Sequence, residues 1–381
     1  MNCLHCMSRI PDGSLLCPVC GKSLHFENQP HQLTPGTILA GKYLVGEAIG
    51  EGGFGITYIG LDLYLNLRLA IKEFFPFGFA TRNHGAGNQI TWSRQTKEIW
   101  FREGVDRFLM EARSIAQFHG DPNIVEVKNF FQENNTAYIV MEYLDGMNLS
   151  RRVSTCGPLK ADDAFRLFLP VMYSLERMHR AGVLHRDIAP NNVRLLSGGS
   201  LKIMDFGSAR YYGGGRDRSL SVLYKEGYSP LEQRMTKGEQ GPWTDIYSLC
   251  ATLYFCITGK VPEDALNRLH ADGLVKPSAL GVPISPSLEK ILLHGLAVNP
   301  GDRYRDMAEL IQATEMALAK EEEKEGKKER RNQGARRGKE PALDGGGQID
   351  KPGEKKGGRK PFYTVLGLGL GIGLVLIGLF L

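Results

Sequence analysis

The sequence predicts an α+β fold of two lobes, a small strand-rich lobe followed by a larger helical one, with a cleft between them. Three observations lead there. Leu67, Leu69 and Ile71 alternate with Arg68, Ala70 and Lys72, the period of two expected of a strand. After residue 160 the period lengthens: Phe165, Phe168, Met172, Leu175 and Met178 form one apolar stripe at helical spacing, in which Pro170 is expected to kink or break the helix. The chain has 381 residues, 42% hydrophobic and 23% charged, which suits two lobes with appendages better than one small domain.

The elements follow in order. Residues 1–24 hold Cys3, Cys6, Cys17 and Cys20, two CxxC pairs ten residues apart. No apolar signal peptide precedes them, so a reducing compartment and a metal site are expected rather than disulfides. Four thiolates at this spacing suit tetrahedral Zn²⁺ in a small zinc ribbon, and about 24 residues cannot fold without such a staple. Residues 25–40 form a polar linker with Pro30 and Pro35. Residues 41–318 carry the two lobes; Tyr138-Ile-Val-Met141 is a second strand, and Phe108, Ala112 and Ile115 fall at helical spacing between the strands. Residues 319–361 are a charged linker, disordered or partly helical. Its fourteen Lys/Arg and nine Asp/Glu between Lys320 and Pro361 account for the whole net charge of +5. A basic tail on a neutral body argues against a nucleic-acid partner. Residues 362–381 carry no charge, and 20 helical residues span roughly 30 Å, a bilayer core. Lys355, Lys356, Arg359 and Lys360 before this segment place the lobes in the cytoplasm, behind a single pass through the cell membrane. The segment is either a tail anchor or the connection to an outer domain. The Gly367/Gly371 and Gly369/Gly373 spacings permit a homodimer through this helix.

Chemistry enters at three motifs. Gly50-Glu-Gly52-Gly-Phe54-Gly55 follows a strand-like Tyr43–Ile49, and Ile56-Thr-Tyr-Ile59 after it reads as another strand. That context predicts a hairpin laid over nucleotide phosphates, not the helix that follows a dinucleotide loop. Leu69-Ala-Ile-Lys72 ends a strand in a lysine that needs a buried partner, for which Glu111 is the candidate. His185-Arg-Asp187-Ile-Ala-Pro-Asn-Asn192 is followed, 18 residues after Asp187, by Asp205-Phe-Gly207. Phosphoryl transfer needs a carboxylate to take the hydroxyl proton, a role that suits Asp187, and oxygen ligands for Mg²⁺, which suit Asn192 and Asp205.

In this order and spacing, residues 43–318 resemble a eukaryotic-type serine/threonine protein kinase domain in its bacterial version. The resemblance implies the two-lobed kinase fold, ATP with Mg²⁺ or Mn²⁺ as cofactors, protein substrates and autophosphorylation in membrane-associated signalling. Carried over, the catalytic set is Asp187, Lys72, Glu111, Asn192 and Asp205. ATP would be held by Ile49, Gly50, Glu51, Gly52, Gly53, Phe54, Gly55, Thr57, Ala70 and Lys72, by Glu142 and Tyr143 as a hinge that hydrogen-bonds adenine through its backbone, with Leu144 beside it, and by Asn192 and Asp205 through the metal. Glu232 matches the glutamate that closes the activation segment, with Arg303 as ion-pair partner; Asp245 matches the aspartate that braces the catalytic loop. Phe74-Phe-Pro76 and Gly241-Pro-Trp243 are similar to a subgroup common in Gram-positive bacteria. Three departures stand out: Thr57 for the usual Val, Pro230-Leu-Glu232 for Ala-Pro-Glu, and Ala189 where serine/threonine kinases usually place a lysine near the γ-phosphate. Losing that charge weakens transition-state stabilisation and removes a mark of Ser/Thr over Tyr specificity. Two alternatives remain at this point: a pseudokinase scaffold, favoured only by Ala189, and a small-molecule kinase, opposed by the long Asp205–Glu232 segment. Within that segment Ser221, and after it Ser219, are expected phosphorylation sites whose phosphate would pair with Arg186.

Overall fold

The computed structural model describes residues 1–26, 29–82, 87–92, 98–206, 210–211, 224–235 and 238–337, with side chains to Lys324 except at 210 and 211. Gly207, Ser219, Ser221 and the apolar segment 362–381 lie outside the described residues. Among the described residues no helix is long and apolar enough to cross a membrane. Residues Met1–Lys328 form one compact unit; Glu329–Leu381 form another, of which only the end of the last helix is described.

The N-terminal lobe is built on β1 (Ile38–Leu39), β2 (Tyr43–Gly52), β3 (Gly55–Asp62) and β4 (Leu67–Phe74). A short hairpin of β5 (Ala80–Arg82) and β6 (Ile90–Trp92) precedes α1 (Glu98–Ala116), and β7 (Val127–Glu133) and β8 (Thr136–Glu142) complete the sheet. The antiparallel order is β1-β2-β3-β4-β8-β7. α1 buries Phe101, Val105, Phe108 and Ala112 against the sheet core. The alternation read along β4 is incomplete: Leu69, Ala70 and Ile71 are all buried, because both faces of this central strand are covered. Behind Lys72, buried Glu73 accepts hydrogen bonds from Tyr58 (3.0 Å) and Tyr138 (2.8 Å) and pairs with Arg82. Burial pushes the Glu73 carboxyl up, and the Arg82 guanidinium opposes that rise.

The C-terminal lobe begins with β9 (Gly146–Asn148), α2 (Leu149–Cys156) and α3 (Ala161–Arg180), then the short strands β10 (Val183–Leu184), β11 (Val193–Leu196), β12 (Leu201–Ile203) and β13 (Arg210–Tyr211). It continues through α4 (Leu231–Arg234), α5 (Pro242–Thr258), α6 (Ala265–His270), α7 (Pro286–Gly295) and α8 (Met307–Arg337). The expected break at Pro170 is absent, for α3 runs through it. An internal proline costs about 3 kcal/mol, whereas Phe165, Phe168, Met172, Leu175 and Met178 each bury a side chain for roughly 1.5–3 kcal/mol. The packing wins. α8 carries helix beyond residue 318 into the charged linker, so that linker is helical in its first part.

The cysteine module is two knuckles, Cys3–Cys6 and Cys17–Cys20, each followed by a residue in the left-handed region: Met7 (φ 60°) and Gly21 (φ 73°). Glycine adopts that conformation freely, but methionine there is strained by roughly 1–2 kcal/mol. The strain turns Met7 into an apolar contact with Ile59, Leu61 and Tyr143 of the N-lobe.

Candidate active site

The glycine motif forms the hairpin of β2 and β3, with Gly50 opposite Thr57 and Gly52 opposite Gly55. A side chain at Gly50, Gly52 or Gly53 would meet nothing within 4 Å, so the strand face stays open for backbone N–H groups to approach phosphate. At Gly55 a Cβ would lie 2.6 Å from the Glu73 carbonyl, which only glycine permits. The loop tip is tied to the segment after β4: Phe75 and Phe77 donate backbone N–H groups to Phe54 O (2.9 Å) and Gly53 O (3.2 Å).

Register places Thr57 beside Lys72. Lys72 Nζ reaches Asp205 Oδ1 at 3.0 Å and Glu111 Oε1 at 3.5 Å. Burial alone would lower the lysine, but the two carboxylates outweigh it and hold Lys72 above its ordinary value. Lys72 in turn holds Asp205 below the usual carboxylate range, against the effect of burial. Burial pushes Glu111 up more than Lys72 draws it down. A cation fixed between a helix and the Asp205 strand end is a ready partner for phosphate oxygens.

The catalytic loop follows β10. Asn192 Nδ2 donates to Asp187 Oδ2 (2.7 Å) and to the Asp187 carbonyl (2.8 Å). Both its N–H bonds are thereby engaged, and the amide oxygen is the ligand atom left to Asn192. With the Asp205 carboxylate it makes an all-oxygen donor set that fits Mg²⁺. Arg186 and Asp205 both have positive φ, 66° and 61°. Such backbone persists only where neighbours over-determine it. Fully buried Asp245 accepts the backbone N–H groups of His185 and Arg186, each at 2.8 Å, and bonds His179 Nε2 at 2.8 Å. Burial would raise the Asp245 carboxyl, but His179 and these donors hold it below its ordinary value. Phe206 is buried against the His185 ring, 4.4 Å between centroids. Glu232 accepts from Arg303 Nη1 (2.7 Å) and Nη2 (3.3 Å) and from Thr244 Oγ1 (3.1 Å).

Lys72, Glu111, Asp187, Asn192 and Asp205 face one cleft of about 530 Å³, while Asp245, Phe206 and the Glu232–Arg303 pair stand behind its wall. Of the expected nucleotide contacts, Ile49 through Gly55, Thr57, Lys72, Asn192 and Asp205 line it, as do Glu111, Asp187 and Tyr143. Ala70, Glu142 and Leu144 do not line it. Ala70 and Leu144 are buried, and the Glu142 carboxylate turns away to Lys202 and to the Glu126 N–H (2.8 Å). Sequence reasoning missed two residues. Gln233 Nε2 donates to the Arg186 carbonyl at 2.6 Å, and Lys225 Nζ stands 2.7 Å from Asp187 Oδ1. The signal for Lys225 was its place three residues before Tyr228, where the chain re-enters the cleft.

In the N-terminal module, the Sγ atoms of Cys3, Cys6, Cys17 and Cys20 lie within 4.8 Å of one another. Cys3–Cys20 and Cys6–Cys17 separations are 3.8 and 3.7 Å. A tetrahedron with Zn–S of roughly 2.3 Å has edges of about 3.8 Å, so the set fits Zn²⁺. The Cys20 backbone N–H, 3.4 Å from Cys17 Sγ, pulls that thiol down to about 6, while burial pushes Cys3 up to about 12.

The chain matches the protein kinase domain family over residues 43–312. It is 30% identical over 279 residues to the serine/threonine-protein kinase PrkC of Bacillus subtilis, covering 71% of this chain and 39% of that one. It is 28% identical to the serine/threonine-protein kinase PknL of Mycobacterium tuberculosis, covering 71% and 64%. It thus spans between two-fifths and two-thirds of the length of these relatives. A solved structure titled "PpkA-294 apo form" superposes with a TM-score of 0.65 at 33% identity, over 74% of this chain and 99% of the other.

Proposed function

The chain belongs to the bacterial serine/threonine protein kinase family, and from that premise we propose that it transfers the γ-phosphoryl group of ATP to serine and threonine hydroxyls of proteins. The observation that carries the reading is the paired geometry across one cleft. Lys72 is held by Glu111 and Asp205 on the phosphate side, and Asp187 is held by Asn192 on the acceptor side. In this reading the acceptor oxygen attacks the γ-phosphorus, the bond to the β–γ bridging oxygen breaks, the hydroxyl proton passes to Asp187, and ADP leaves. Bound Mg²⁺ would neutralise charge on the phosphate oxygens. Asn192 and Asp205 would hold it, Lys72 orients the phosphates, and the glycine hairpin keeps water from them. Incubation with labelled ATP and a generic protein acceptor, followed by phosphoamino-acid analysis, tests the proposal. Label on serine or threonine is expected. Label on tyrosine alone overturns the acceptor, and no label overturns the activity.

The four-thiolate set supports a structural zinc. Protein purified without chelator is expected to contain one zinc per chain, and strong chelation is expected to melt the module before the kinase lobes. Absence of zinc by elemental analysis would refute this. The uncharged segment 362–381 supports membrane attachment. The full chain is expected to sediment with membranes and a chain ending at Pro361 to stay in the supernatant; equal partitioning of both would rule the anchor out.

A further inference from the structure

The geometry points to Lys225 as a catalytic residue: its ammonium group contacts the transferring γ-phosphoryl group and supplies, from the far side of the activation segment, the positive charge that the catalytic loop lacks at Ala189. The inference rests on the phosphotransfer reading above.

Lys225 lines the same cleft as Lys72, Asp187, Asn192 and Asp205. Its Nζ lies 2.7 Å from Asp187 Oδ1 and 3.4 Å from Asn191 Oδ1. The backbone beneath it is fixed. Lys225 N–H donates to Ser229 Oγ (3.0 Å), and its carbonyl accepts the N–H groups of Tyr228 (3.0 Å) and Ser229 (2.9 Å). A lysine mounted on a turn with three such bonds is aimed, not wandering. Its field also reaches Asp205, whose carboxyl is lowered first by Lys72 and, to a lesser degree, by Lys225. Lys225 thus shares one cleft with the base that faces the acceptor and with the carboxylate that faces the phosphates.

The catalytic loop shows why a cation is needed there. Charge accumulates on the equatorial oxygens of the transferring group, and fixed cations aimed at it are among the largest contributors to rate. Lys72 is committed to Glu111 and Asp205. Two residues beyond Asp187 stands Ala189, which is buried and uncharged. Lys225 takes the vacated role while leaving Asp187 competent as a base. Oδ1 meets Lys225 and Oδ2 meets Asn192, but a carboxylate has about four lone-pair sites, so it can still receive the acceptor's proton. A flexible four-carbon stem lets the ammonium group pivot from Asp187 to the phosphate when ATP enters. The same contact makes charge placement dependent on the activation segment: Lys225 is delivered only when the turn Lys225–Ser229 is formed.

The test compares Lys225→Met and Lys225→Arg with the unaltered full-length chain. It measures steady-state phosphotransfer to a protein acceptor and ADP·Mg²⁺ affinity by calorimetry. ADP lacks the γ-phosphate, so it reports a folded nucleotide site that Lys225 does not touch. Lys225→Met is expected to lower kcat by about 10²–10³-fold, with ADP affinity within twofold of the unaltered chain. Lys225→Arg is expected to restore most of the lost rate. Three results would overturn the proposal. Unchanged turnover in Lys225→Met means the charge is not used. Raised turnover means Lys225 restrains Asp187. A parallel collapse of ADP affinity means the residue is structural. Asp187→Asn, run alongside, separates the two levels. If it is inactive while Lys225→Met is fully active, only the role of Lys225 fails; if it is fully active, the phosphotransfer assignment fails.

Discussion

Asp187→Asn is expected to reduce kcat by about 10³-fold, within the 10²–10⁴ that a positioned general base contributes, while ADP binding persists. The substitution keeps the side-chain shape but removes the proton acceptor. It also disturbs the two contacts that hold the carboxylate. Asp187 accepts from Lys225 on one oxygen and from Asn192 on the other. An asparagine has one acceptor oxygen and one NH₂ group, so one of those donors must then face a donor. A modest loss of stability is expected alongside the loss of rate, since Asp187 is only partly buried and water can satisfy the displaced group. Initial rates across an ATP range, with ADP titration on the same preparation, distinguish the chemical from the binding effect. Turnover at the level of the unaltered chain would place the base elsewhere.

Arg303→Met is expected to give the largest fall in stability. The guanidinium is fully buried and makes five bonds: two to Glu232, and one each to the carbonyls of Ala297 (2.7 Å), Val298 (2.7 Å) and Trp243 (3.1 Å). Methionine matches the stem but leaves three carbonyls and a buried carboxylate without their donor; Glu232 keeps only Thr244. Removing one partner of a buried pair costs about 3–5 kcal/mol, a drop in Tm on the order of ten degrees for a domain of this size. Arg303→Lys is expected to rescue little, because an ammonium group cannot reach carbonyls arranged around a planar fork. Activity is expected to fall with stability, since α4 carries both Glu232 and Gln233, whose amide holds the Arg186 carbonyl. A Tm within two degrees of the unaltered chain would show that the pair is replaceable by water or by repacking.

Much of this site is legible in the sequence because its parts are short motifs whose spacing encodes local geometry. The glycine run between two strand patterns reads as a hairpin, and Lys72, expected to end its strand but found two residues short of the end of β4 because Glu73 and Phe74 continue the ladder, demands an acid, which Glu111 supplies. Arg303 and Glu232 come from the family resemblance, since nothing local links positions so far apart. Contacts between unrelated segments were not legible. Lys225 reaches Asp187 only through the path of the chain after the activation segment. Arg82, from a short hairpin, enters the lobe to meet Glu73, a pairing that no periodicity announces. Of the kink or break expected at Pro170, the break is absent, because helix propensity is a local preference while the stripe around it is buried by tertiary packing. The hinge expectation concerns backbone groups, and of its residues Tyr143 lines the cleft, while the Glu142 side chain pairs with Lys202 from the β4–β8 ladder.

The strained Met7 joins the cysteine module to the N-lobe sheet. Its side chain rests on Ile59, Leu61 and Tyr143, and next to it the Glu47 backbone N–H donates to the Leu4 carbonyl (2.9 Å) while the Glu47 carboxylate pairs with His5 (2.6 Å) and Lys22 (2.5 Å). Gly46 leaves no room between them, since a Cβ there would lie 2.2 Å from the Leu4 carbonyl. Glu47 stands three residues before Gly50 on the same strand, so the first cysteine knuckle and the phosphate hairpin are two loads on one beam. Thermodynamic reciprocity then applies: by whatever factor a closed knuckle alters nucleotide affinity, bound nucleotide alters the affinity of the thiols for metal by the same factor.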